Sequence, residues 1–315
     1  MQKMDKEKNF VSAVVYINEH SAGVENFFRL LLSVLEDNFL HSEIICVNDG
    51  AKESDMEAVR RVSSEAESVS ISVLNMSSYH GVEAAMTAGV DLAIGDFVFE
   101  FDSTLADFAP AAIMEVYRCS MQGADIVTAV PDLRQANSSR LFYYMFNKFS
   151  HAHHDMRTER FHLLSRRAIN RISSMNKTIP YRKAVYLTCG FPVKSIVYPV
   201  EHAAASAAGS REENNYRERL AIDALLLFTD IGYKVAMGFT KMMMVIAVLV
   251  GCYGMLTYFA SSPVQGWTTT ICFMAFAFFA FFGILTIIVK YLQLILNLVF
   301  KRKEVSFTGI EKLTK

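Results

Sequence analysis

The sequence predicts an α/β domain built on a mostly parallel sheet, followed by a two-helix transmembrane hairpin. Three observations predict it. Short apolar runs rich in β-branched residues alternate with helix-period segments over the first 101 positions. Each of these runs stops at a polar residue. Two long runs without Asp, Glu, Lys or Arg, Met242 to Phe259 and Thr268 to Val289, then follow a stretch that holds most of the chain's charge.

Phe10 to Ile17 is a short β-branched apolar run that halts at Asn18-Glu19, the mark of a buried strand ending in a loop. Val24 to Asn38 has helical periodicity, and Glu43-Ile44-Ile45-Cys46-Val47 is a second strand closed by Asn48-Asp49-Gly50. A charged helix over Ser54 to Glu67 leads to a third strand, Val69 to Leu74. Gly81 to Ile94 is helical again, and Asp96 to Phe101 is a fourth strand that ends at Asp102. Strand and helix in strict alternation imply parallel strands with right-handed crossovers. In such sheets a ligand sits beyond the carboxyl ends of the strands. Asn18, Glu19, Asp49 and Asp102 fall at those ends and predict one polar crevice.

The two apolar runs each approach the ~20 residues of a bilayer-spanning helix. The turn between them, Ser261-Ser262-Pro263-Val264-Gln265-Gly266, is short and uncharged, so the segments on either side of the hairpin lie on one face. Lys241, Lys290 and Lys301-Arg302-Lys303 flank that face, and by the positive-inside rule it is cytoplasmic. The expected organisation is a domain over 1–215, an interfacial helix over 216–240, spans within 241–300 (242–260 and 267–289) and a basic cytoplasmic tail over 301–315. The expected location is the inner (plasma) membrane, multi-pass. A second aromatic helix, Arg140 to Phe146, suits a surface or the core.

Composition excludes several classes. A net charge of −1 argues against a nucleic-acid binder. The five cysteines are scattered without CxxC or Cys/His spacing, so neither a disulfide framework nor a zinc site is expected. His151, His153, His154 and Asp155 have no second ligand group nearby and read as a polar turn. A crevice lined by carboxylates suits a metal-bridged nucleoside diphosphate or a cationic ligand.

The order V-V-Y-I-N-E, E-I-I-C-V-N-D-G, G-V-E-A-A-M-T-A-G-V-D-L-A-I-G-D and F-D-S-T-L-A-D-F resembles the family 2 glycosyltransferases of GT-A fold. The branch it is most similar to is the polyprenyl-phosphate sugar transferases, relatives of dolichol-phosphate mannose synthase, and the resemblance runs from Val14 to the tail. It implies a Rossmann-like, mostly parallel GT-A domain. It implies inverting transfer from a nucleotide sugar to an undecaprenyl-type phosphate lipid, for envelope glycan synthesis. By position, Asn18, Glu19, Asp49 and Gly50 would line the nucleotide, with Asp49 accepting hydrogen bonds from base or ribose. Asp102 with Thr104 would hold Mg or Mn, Asp107 is an acid that follows the metal motif, and Gly81, Ala85 and Gly89 would pack beside the diphosphate or simply start and seat a helix. Tyr216, Arg217 and Arg219 would meet the acceptor phosphate, and Glu159 or His162 would take the part of the base.

Several positions depart from that branch. Its Asp-X-Asp metal motif reads Asp102-Ser103-Thr104, its Arg-Asn before Gly81 reads Ser78-Tyr79, and its Gly-Asp-Phe-Arg segment reads Glu159-Arg160-Phe161-His162. Arginine cannot serve as a base near neutral pH. The alternative reading is a catalytically impaired homologue that serves as scaffold or regulatory partner for envelope-glycan proteins. Gly251, Gly254 and Gly283 permit close helix approach without a GxxxG motif, which makes a homo-oligomer the other expected assembly.

Overall fold

The computed structural model describes residues 6–133, 137–150, 155–175, 181–200 and 221–225, scattered positions between 229 and 295, and 307–314. The predicted alternation is present: β1 (Val11–Ile17), α1 (Val24–Asn38), β2 (Ser42–Asn48), α2 (Glu53–Glu65), β3 (Val69–Met76), α3 (Val82–Leu92) and β4 (Phe97–Phe101). Then come α4 (Pro110–Met121), β5 (Ile126–Pro131), α5 (Asn137–Phe149), β6 (Phe161–Ser165), α6 (Arg166–Met175), α7 (Arg182–Thr188), β7 (Val193–Tyr198) and β8 (Phe307–Lys312).

The strands form one sheet in the order β7-β5-β6-β4-β1-β2-β3-β8. β1 pairs in parallel with β2 and β4, β2 with β3, and β5 with β7. β6 runs antiparallel to both β4 and β5, so those two point the same way and share one carboxyl edge with β1, β2 and β3. β8 adds an antiparallel edge strand to β3, anchored beyond its end where the Ile71 N–H donates to Thr314 Oγ1 at 2.9 Å.

Helices cover both faces of the sheet, which is why the central strands read as continuous apolar runs rather than alternating ones. Val11, Ala13, Val15 and Ile17 of β1 pack with α1, α2 and α4, while Val14 and Tyr16 pack on the opposite face with α3, α6 and α7. α1 buries Phe27, Phe28, Leu31, Leu32 and Leu35, an apolar stripe at helical spacing. α3 can lie directly on the sheet because position 89 has no side chain: a Cβ there would sit 2.5 Å from Val14 Cγ1 and 2.6 Å from Val47 Cγ2. That close seat brings the N-terminus of α3 to the ends of β1 and β2. The aromatic stretch 140–146 is helical within α5, with Phe146 buried against Met156, Ala184 and Leu187 and Leu141 exposed.

One expectation is corrected. Among the described residues, no helix is long and apolar enough to cross a membrane, which overturns the multi-pass placement in the inner membrane with a cytoplasmic domain and tail. Apolar composition makes a run water-avoiding, but spanning requires a continuous helix of about 20 residues. The runs that carried the expectation, 242–259 and 268–289, lie for the most part outside the described residues. His151, His153, His154, Tyr216, Arg217 and Arg219 also lie outside them.

Candidate active site

The polar crevice forms at the shared carboxyl edge. Asn18 closes β1 with a side-chain turn, its Oδ1 accepting the His20 N–H at 3.0 Å while its own N–H donates to Ser21 Oγ at 2.9 Å. Glu19 projects from that turn, 64% exposed at its side chain, with His20 Nε2 3.2 Å away. Asn48 stabilises the turn after β2: its Oδ1 accepts the Ala51 N–H at 2.9 Å and its Nδ2 donates to Asn75 Oδ1 at 2.8 Å. Gly50 follows with φ +85°, a conformation that suits glycine.

Asp49, expected to contact base or ribose, makes three hydrogen bonds within the protein. Its carboxylate is buried and accepts the His80 and Gly81 N–H groups, each at 2.9 Å, and the Tyr16 hydroxyl at 3.1 Å. It therefore ties the end of β2 to the start of α3. Burial first, and then the Asp49 charge, push the Tyr16 hydroxyl far above its ordinary pKa. Gly81 has φ +80° and ψ 159°, which no side chain adopts without strain, so the glycine opens the helix as a conformational requirement.

Behind this turn lies a buried cluster that converges on Arg182, the first residue of α7. Its Nε donates to Glu83 Oε2 at 3.1 Å, its backbone N–H donates to the same oxygen at 2.9 Å, and its two terminal nitrogens donate to Glu100 Oε2 and Asp102 Oδ1. Glu100 also meets His162 Nε2 at 3.0 Å and accepts the Tyr186 hydroxyl at 2.8 Å. Glu159 Oε2 lies 3.6 Å from His162 Nδ1, too far for a hydrogen bond. Lys183 Nζ stands 3.8 Å from Asp102 Oδ2.

The electrostatics follow from this packing. Burial opposes ionisation of Asp102, but Arg182, then Lys183 and His162, outweigh it and hold the carboxyl well below the usual range. Glu100 is likewise depressed, with Arg182 and His162 overcoming its burial. Burial raises Glu83 and Glu159 above their ordinary values. For His162 burial pulls downward, and the hydrogen bond and charge of Glu100 reverse it to a net rise.

Glu100, Asp102 and His162 each offer a ligand atom within 4.8 Å of the others, a group that could hold a metal ion. With Arg182 in place they do not fit one: its terminal nitrogens are bonded to one oxygen of Glu100 and one of Asp102, the Tyr186 hydroxyl takes the other Glu100 oxygen, and the Lys183 ammonium faces the other Asp102 oxygen. Thr104, the other expected ligand, points elsewhere and donates to the Ala22 carbonyl at 2.8 Å. Asp107 is held by Arg160, whose Nε lies 3.0 Å from both carboxylate oxygens, and by the Tyr198 hydroxyl at 2.9 Å. Arg160 occupies the position where the resemblance places a base.

Further along the same edge, beyond β5, an open cavity of about 460 Å³ is bordered by Asp132, Arg140, Tyr143, Tyr144, Asn147 and Arg157.

Residues 14–175, a little over half of the chain, match glycosyl transferase family 2. The chain belongs to that family. An uncharacterised glycosyltransferase of Synechocystis sp. is 27% identical over 197 residues, 61% of this chain and 61% of that relative, so the match leaves more than a third of the relative unspanned. A prophage bactoprenol glucosyl transferase homolog of Escherichia coli K12 is 23% identical over 251 residues, 78% of this chain and 79% of that one. Among solved structures, glucosyl-3-phosphoglycerate synthase from Mycobacterium tuberculosis, in complex with phosphoglyceric acid, aligns with a TM-score of 0.51 at 14% identity. That alignment covers 69% of this chain and 79% of the synthase, and it supports the GT-A fold.

The sequence motifs located Asp102 but missed the buried cluster beside it, Glu83, Glu100, Arg182, Lys183 and Tyr186. One signal was available. Glu100 interrupts Phe97-Val98-Phe99-Glu100-Phe101, and a carboxylate in a strand covered on both faces requires a buried partner. The sequence gives no means of naming that partner, because Arg182 is 82 positions away.

Proposed function

We propose that this family 2 glycosyltransferase moves a sugar from a nucleotide-sugar donor to a polyprenyl, undecaprenyl-type phosphate, with inversion, in envelope glycan synthesis. The observation that carries this reading is the collection of Asn18, Glu19, Asp49, Gly50 and Asp102 at one carboxyl edge, beside the arginine- and tyrosine-lined cavity beyond β5. The lipid acceptor is supported by the Escherichia coli relative, whose name specifies bactoprenol and which aligns over most of both chains.

In this reading Asn18 and Glu19 border the nucleotide, and Asp49 and Gly50 fix the loop against which it lies. Asp102 stands at the diphosphate end. The acceptor phosphate is bound by Arg217, Arg219 and Tyr216, with Arg140 and Arg157 at the cavity rim. A phosphate oxygen attacks the anomeric carbon in line, the bond from that carbon to the diphosphate oxygen breaks, and the nucleoside diphosphate leaves with the electron pair. The acceptor is already anionic, so positioning and charge stabilisation dominate over proton removal. Glu159, whose pKa burial raises, is the candidate acid–base group should the acceptor arrive protonated.

A second reading, a catalytically impaired homologue acting as scaffold or regulatory partner, is favoured by one observation: Glu83, Glu100 and Asp102 are all bonded to Arg182. The deciding experiment is transfer of radiolabelled sugar from a panel of nucleotide sugars into the lipid fraction, with undecaprenyl phosphate supplied, in parallel with Mn2+ and with EDTA. Labelled lipid that disappears in Asp102→Asn supports the transferase. No label beside an active relative supports the scaffold.

A further inference from the structure

A divalent cation and an arginine solve the same electrostatic problem in different ways. Both neutralise clustered carboxylates, but the guanidinium is tethered, planar and cannot be released or deprotonated. Glu100 lies on β4 and Asp102 directly follows its last residue, and both carboxylates turn to Arg182. Glu83 reaches them from the first turn of α3, and His162 from β6 across the β4–β6 pairing, in which it is the register partner of Glu100. Four acidic or imidazole groups from three elements meet at one point, and the side chain at that point is Arg182, 2% exposed.

Lys183 completes the arrangement. The next residue on α7, it lies on the outer side of Asp102, where its side chain is 17% exposed and that of Asp102 is 22% exposed. Arg182 and Lys183 together supply two positive charges at Asp102, the same formal charge as one divalent ion. Thr104 adds no competing ligand, because its hydroxyl is engaged with the Ala22 carbonyl.

We propose that Arg182 is a built-in replacement for the divalent cation of the donor site, so that this chain binds its nucleotide sugar without metal, and that Lys183 is the cation that meets the diphosphate. The proposal rests on the nucleotide-sugar reading for its ligand, but not for its statement about metal. Arg182 acts through Asp102 and Glu100 as a positioning residue. Lys183, at the surface of the cluster, touches the ligand.

The test is Mn2+ electron paramagnetic resonance on the full chain, with and without UDP or GDP. The expected result is that the free Mn2+ signal is undiminished by the protein in either condition. Stoichiometric loss of that signal, abolished in Asp102→Asn, would overturn the proposal. Arg182→Met should free the carboxylates, creating a Mn2+ site and a melting temperature that rises on Mn2+ addition, which a purely structural arginine would not produce. If that variant does not fold, the wild-type titration decides alone.

Calorimetric binding of UDP and GDP in EDTA and in Mn2+ supplies the second arm. Equal affinities, each reduced about tenfold or more in Lys183→Ala, are expected for loss of a charge-assisted contact. An affinity that requires Mn2+ overturns the proposal. Absence of nucleotide binding in both buffers removes Lys183's assigned ligand and counts against the donor reading, while the resonance experiment still rules on Arg182 and metal.

Discussion

Arg160 holds Asp107 as a fork: Nε is 3.0 Å from both carboxylate oxygens, Nη2 bonds Oδ2, and the Tyr198 hydroxyl fills a remaining acceptor position on Oδ1. Asp107 is buried and Arg160 keeps a partly exposed edge. Removing either partner leaves the charge of the other without its counter-ion. Arg160→Met and Asp107→Asn should each cost about 2–3 kcal/mol, at or just below the range for breaking a buried pair because Arg160 retains some solvent. The double variant should cost clearly less than the sum. Urea denaturation of the four proteins measures this, and additive losses would show that the fork is not an energetic unit.

His162 gives the fold a pH dependence with a definite sign. Its pKa in the folded chain lies above the ordinary value, because the hydrogen bond and charge of Glu100 outweigh burial. The folded state therefore holds the proton more tightly than the unfolded state does. The stabilisation is fully present below about pH 6.5 and is lost as pH rises through the folded pKa. Denaturation from pH 6 to 9 should show wild type losing stability relative to His162→Gln, at up to about 1.4 kcal/mol per pH unit. Parallel curves for the two proteins would mean that folding leaves the proton affinity of His162 unchanged.

Gly95 sits where the chain enters β4 against β1. A Cβ at this position would lie 2.6 Å from the Ser12 nitrogen and 3.0 Å from the Phe10 carbonyl oxygen, and backbone cannot rotate away as a side chain can. The same residue donates its N–H to Ser12 Oγ at 2.8 Å and accepts from Arg166 at 2.9 Å. Gly95→Ala should destabilise by about 1–3 kcal/mol, the cost of overpacking. Gly123→Ala makes a useful comparison, since its added Cβ meets nothing within 4 Å and only its φ of +101° opposes the change. A loss at Gly95 well below 1 kcal/mol would show that the β1 backbone yields to the added Cβ.

The first seven elements were legible because each strand is a predominantly apolar run in a sheet covered on both faces and each run ends on a polar residue such as Asn18 or Asp102. Later elements lack that contrast. β7 carries Lys194 and Ser195 near the sheet edge, and β8 contains Gly309, Glu311 and Lys312, so neither reads as a strand by itself. Their pairing partners, β5 and β3, supply the order. The candidate site was legible only as far as the strand ends. The resemblance pointed to Asp49, Thr104 and Asp107, but their burial and their bonds to Gly81, Ala22 and Arg160 are tertiary facts.

Thr104 separates the effect of a missing metal ligand from that of a resident arginine. Restoring the family's second aspartate, Thr104→Asp, removes the hydroxyl that donates to the Ala22 carbonyl at 2.8 Å and sets a carboxylate against that oxygen. Burial of the position makes the unmatched charge costly, so the variant should lose about 2 kcal/mol or more. It should also bind no Mn2+, because Arg182 still holds Glu100 and Asp102. Adding Arg182→Met to Thr104→Asp should change both readings together: Mn2+ binds, and it raises the melting temperature of the double variant by mass action. Manganese binding by Thr104→Asp alone, read by electron paramagnetic resonance, would mean that the count of carboxylates sets metal use in this crevice and that Arg182 yields its place.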